Sequence, residues 1–110
     1  MSKTKEEQLV FEYVLYTQML KRGAAFNEQY AKERVAELAK KIDLSDENVN
    51  RRCISVSKGI VHRRDSMYKT MFEKALSREE AKIVEGYIYQ CIESDIEPEV
   101  ENILEIKLVM

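Results

Sequence analysis

Helix breakers are scarce in this chain: one proline and three glycines in 110 residues. No succession of short apolar runs with turn signals every eight to twelve residues or so appears, which argues against a β-sandwich or barrel. Histidine is scarcer still. His62 stands alone, and no His, Cys or acidic residues have metal-ligand spacing, so no metal centre is expected. The two cysteines, Cys53 and Cys91, lie far apart without a CxxC partner, on the apolar sides of expected helices. They read as buried free thiols, the form a reducing cytoplasm maintains. There is no Gly-rich phosphate loop. No apolar run approaches the roughly 20 residues needed to cross a bilayer. The start, MSKTKEEQ, has no apolar stretch behind it of the secretion-signal kind.

What is present describes an ordinary globular domain. Apolar residues make up 45% and charged residues 35% of the chain, and 110 residues suffice for one domain with its own core. The formal net charge of −2 conceals an uneven distribution. Residues 51–69 carry Arg51, Arg52, Lys58, Arg63, Arg64 and Lys69 against Asp65 alone. Residues 79–105 reverse the balance, with Glu79, Glu80, Glu85, Glu93, Asp95 and further glutamates opposed only by Lys82. A basic middle and an acidic end say more about partners than the sum does.

The apolar spacing predicts an all-α, compact bundle of about five helices in a single domain spanning residues 1–110. The first helix runs from Lys5 to Arg22 and stops at Gly23, a residue suited to a left-handed cap. Its centre, LVFEYVLYTQML, is apolar at nine of twelve positions, far more than the single stripe of a surface helix. It is therefore either the central helix or the seam of a dimer. The second helix follows Asn27 as N-cap and places Ala31, Val35, Leu38 and Ile42 inward. The third presents Val49, Cys53, Val56 and Ile60, and is expected to continue past Gly59 through Met67, Met71 and Ala75. Ser77 with Glu80 forms a capping box. It opens a fourth helix with Ala81, Val84, Tyr87, Ile88, Cys91 and Ile92 inward. A short fifth segment is expected from Pro98, and the apolar end ILEIKLVM should pack on the body or on a partner, as helix or strand.

The corner between the second and third helices reads LAKKIDLSDENVNRR. Ala39 supplies a small contact, and Asp43 stands where a left-handed backbone is wanted. Leu44 plugs the turn, Ser45 caps the next helix, and Asp46 and Glu47 face its positive end. In this frame residues 35–60 resemble the helix-turn-helix of response-regulator output domains and sigma-factor DNA-binding regions. The resemblance implies a groove-facing surface of Ser45, Asp46, Glu47, Asn50, Arg51 and Ile54. Asn50 and Arg51 would reach base edges, and Arg52, Lys58, Arg63, Arg64 and His62 would meet phosphates. Against it stand the acidic tip and the acidic chain as a whole, and the same arginines are equally suited to solvent or to pairing with the acidic end.

Function follows as alternatives. The favoured one is a non-enzymatic, cytoplasmic DNA-binding regulator that uses the third helix, a homodimer joined by the first helix or the C-terminal segment. Its palindromic half-sites would lie about one helical turn apart. Another is a protein interaction module whose patches dock an acidic protein partner, similar in size and style to accessory or inhibitory proteins of phages and plasmids. A third is a helical subunit of a nucleoprotein assembly. Catalysis is not expected. In HRRD, residues 62–65, no nucleophile is paired with His62 and Asp65, and no cofactor is implied.

Overall fold

The computed structural model describes residues 4–71 and 77–99. These form an all-helical bundle of four helices: α1 (Lys5–Arg22), α2 (Glu28–Lys41), α3 (Glu47–Met71) and α4 (Arg78–Ser94). A fifth helix is not among them. Pro98 and Glu99 are not helical, and Ala75 and the segment ILEIKLVM lie outside the described residues.

Each boundary has a local cause. Thr4 opens α1 with a capping box, its hydroxyl accepting from the Glu7 N–H at 3.2 Å while the Glu7 carboxylate accepts from the Thr4 N–H at 3.3 Å. Gly23 ends the helix at φ 69°, as its lack of a side chain permits. Asn27 caps α2 by accepting from the Tyr30 N–H at 2.9 Å. Ser77 and Glu80 form the expected reciprocal pair at the start of α4, both bonds at 3.1 Å. Asp95 closes α4 in the left-handed region at φ 54°. Between these caps, α3 runs unbroken through Gly59 for 25 residues.

The excess of apolar residues on α1 has a structural reason: α2, α3 and α4 all pack on it. A helix with three neighbours needs three apolar stripes rather than one. Val10, Val14, Leu15, Tyr16 and Met19 are buried, and Leu15 has no exposed surface at all. Of the two roles open to this helix, the structure places it at the centre of the bundle. Ala31 and Leu38 of α2 with Ile42 just beyond it, Val49, Ile60 and Met67 of α3, and Val84, Ile88, Tyr89 and Ile92 of α4 complete one continuous core. Both cysteines are free thiols; Cys91 is buried as expected, but Cys53 is only half-buried.

The α2–α3 corner departs from the expected arrangement. Asp43 is not left-handed, since Asp95 alone among the described non-glycine residues has positive φ. The reversal begins instead at Ile42, which is extended at φ −114° and ψ 131°. The Asp43 carboxylate accepts from the Ser45 N–H at 3.0 Å and also from its hydroxyl, so Ser45 is spent inside the turn. The cap of α3 is Asp46, whose carboxylate accepts from the Asn48 N–H at 2.8 Å and whose carbonyl accepts from the Asn50 N–H. Leu44 does not plug the turn; it is exposed. Nor are α2 and α3 a packed pair, because each rests on α1 instead.

Candidate interaction groove

The residues expected to meet DNA share one surface only in part. Arg64 is buried, 9% exposed, where its chain neighbour Asp65 and the Tyr89 hydroxyl hold its guanidinium. Burial works against its charge, but the hydrogen bonds to Asp65 and Tyr89 outweigh it and leave the pKa above the ordinary arginine value. Arg52 reaches across to Glu6 of α1 at 2.6 Å, and Arg63 to Asp95 beyond α4 at 3.0 Å. Exposed pairs of this kind contribute about 0–1 kcal/mol each, yet they turn both arginines toward their own fold. Arg51 pairs with Glu47 one turn earlier on α3 at 2.9 Å. Ser45 is taken by Asp43. Asn50, Ile54, Lys58 and His62 follow one another at one-turn intervals on an exposed face of α3 without such partners among the described residues, beside exposed Asp46 and Glu47. His62 is exposed and Asp65 is engaged with Arg64, so HRRD does not converge on one point.

A different concentration of positive charge lies nearby. The C-terminal half of α1, the middle of α3 and the first two turns of α4 enclose an open groove of about 970 Å³. Its walls are apolar where Tyr13, Val14, Ile54, Val61 and Ala81 line it. Six cations line it too, and only one acid, Glu85. Arg22 is held by Glu85 through two bonds of 3.0 and 3.1 Å, which raise its pKa, and Arg64 is occupied as described. Lys21, Lys58, Arg78 and Lys82 are left with no ion-pair partner among the described residues. Three of these four were not foreseen, because they come from helices separated in the chain. The one hint was Lys82, the lone base in an otherwise acidic stretch.

The groove is built on a polar tie between its walls. Gln18 of α1 donates to the Ser57 hydroxyl of α3, and its carbonyl accepts from the Tyr89 hydroxyl of α4 at 3.4 Å. With Arg64 donating to Tyr89, three helices are joined beneath the opening by satisfied groups. The same wall carries Cys53, whose thiol pKa is pushed up by burial and which is therefore a poor nucleophile at neutral pH. Among the described residues no three His, Cys, Asp or Glu side chains cluster as a metal site requires, and no helix is long and apolar enough to cross a membrane. Comparison with protein-family models, with curated proteins and with solved structures gave no match.

Proposed function

We propose that this protein is a non-enzymatic interaction module that binds an acidic protein partner in the groove between α1, α3 and α4. One observation carries the reading: four cations without ion-pair partners among the described residues surround an apolar lining on an otherwise acidic chain. Like charges held together repel one another, and an anionic surface docked against them relieves that repulsion while the apolar walls leave water. The mixed lining favours a protein over nucleic acid. A phosphate backbone would satisfy the lysines but leave Ile54, 56% exposed, and Val61 against charge.

A DNA-binding reading keeps one supporting feature, the open stripe of Asn50, Ile54 and Lys58 on α3. The two readings separate in one experiment. Fluorescence anisotropy is measured with a labelled peptide rich in Glu and Leu and with a random-sequence duplex, each over a range of salt. The peptide is expected to bind and to weaken as salt rises, and Lys58→Glu/Lys82→Glu to abolish binding while circular dichroism stays unchanged. Duplex binding that Asn50→Ala/Arg51→Ala removes, with no binding of the peptide, would replace the module with a DNA-binding protein.

A further inference from the structure

We infer that the partner enters the groove as an amphipathic α-helix, with its apolar stripe on Ile54 and Val61 and carboxylates along both edges. This rests on the acidic-partner reading and specifies it.

Two features of the groove carry the inference. The first is periodicity. Ile54 and Val61 are seven residues apart on α3, two turns or about 10.5 Å along one face, with Lys58 one turn from Ile54. Side chains repeating on that period pack best with a partner that repeats likewise. The second is the placement of charge on separate banks. Lys21 stands on α1, and Arg78 and Lys82 stand one turn apart on α4. Two carboxylates one turn apart on an entering helix can therefore meet the α4 pair together while a third faces α1.

An extended peptide fits less well. It would bring a row of unpaired backbone N–H and C=O groups, and no strand edge exists among the described residues to receive them. A helix satisfies those groups internally and offers only side chains. Glu85, neutralised by Arg22, sets the acidic limit of the cationic bank and does not oppose the incoming carboxylates.

The test uses two designed peptides of about 14 residues and identical composition, drawn from Leu, Glu and Ala. In one, Leu recurs every three or four residues with Glu on either side; in the other the same residues are reordered so that Leu alternates. The helix-ordered peptide is expected to bind about tenfold more tightly and to gain far-UV helical signal on binding. Ile54→Ser should cost it about tenfold, with the protein's own circular dichroism unchanged. Equal binding of the two peptides, or tight binding without gained helicity, would overturn the helical occupant while leaving an acidic partner in place. Failure of both peptides to bind would remove the acidic-partner reading itself.

Discussion

At Gly86 the loop between α1 and α2 crosses α4 so closely that a Cβ would lie 2.7 Å from the Ala24 carbonyl oxygen and 3.3 Å from the Phe26 ring. The nearest of these atoms is backbone and cannot swing aside. Gly59 also sits inside a helix, but a Cβ there meets nothing within 4 Å. The same substitution should therefore have opposite signs at the two places. Gly86→Ala is expected to destabilise by about 1–3 kcal/mol through overpacking. Gly59→Ala should stabilise by roughly 0.5–1 kcal/mol by reducing the freedom of the unfolded chain. Urea denaturation of both variants checks the pair, and a stabilised Gly86→Ala would contradict the close crossing. Nothing in the sequence separates these glycines, since each interrupts an apolar helical series. What differs is a neighbour more than sixty residues away in the chain.

At the scale of the element, the helix positions were legible from apolar spacing and cap residues, whereas the corner was legible only as a corner. Ser45 and Asp46 are both good caps, and the sequence cannot say which of two adjacent residues starts α3. The choice of cap does not turn the helix, because the apolar period decides which side meets the core: Val49 and Ile60 are buried while Asn50 and Ile54 are exposed. Since Asp46 is the cap, Asp46→Ala should cost about 1 kcal/mol. Ser45→Ala, which loses only a solvent-exposed bond within the turn, should cost about 0.5 kcal/mol or less. The reverse order in urea titrations would reinstate Ser45. The turn also has a pH signature. Bonds from the Ser45 hydroxyl and backbone hold the Asp43 carboxyl below the ordinary aspartate value. A lowered folded pKa means that its contribution is present above the unfolded pKa and is lost as pH falls through the folded one. Carboxyl NMR titration should therefore give Asp43 a midpoint below that of an unstructured aspartate, and a midpoint at or above it would mean the turn bonds do not persist in solution.

Across the whole molecule, the core was easier to read than the groove because burial obeys a local period and surface charge does not. The basic run of residues 51–69 looked like one patch. In the fold Arg52, Arg63 and Arg64 are drawn into three separate contacts, while Lys58 joins cations from α1 and α4 that lie far from it in the chain. That assembly depends on α1, on which each of the other three described helices packs. Leu15 tests the dependence most directly. It is fully buried on the central helix, so Leu15→Glu would remove a core side chain worth about 1.5–3 kcal/mol and bury an unpaired carboxylate at several more. A domain of this size has net stability of only about 5–15 kcal/mol. The variant is expected to lose its cooperative thermal transition and much of its helical circular dichroism at neutral pH. Partial recovery is expected in acid, once the new carboxyl is protonated, at pH values where the parent itself remains folded. Sedimentation velocity on the same samples makes the alternative visible. A compact, fully helical monomer from a dimeric parent would mean that this face of α1 joins two chains rather than four helices, and the groove built on it would have to be redrawn.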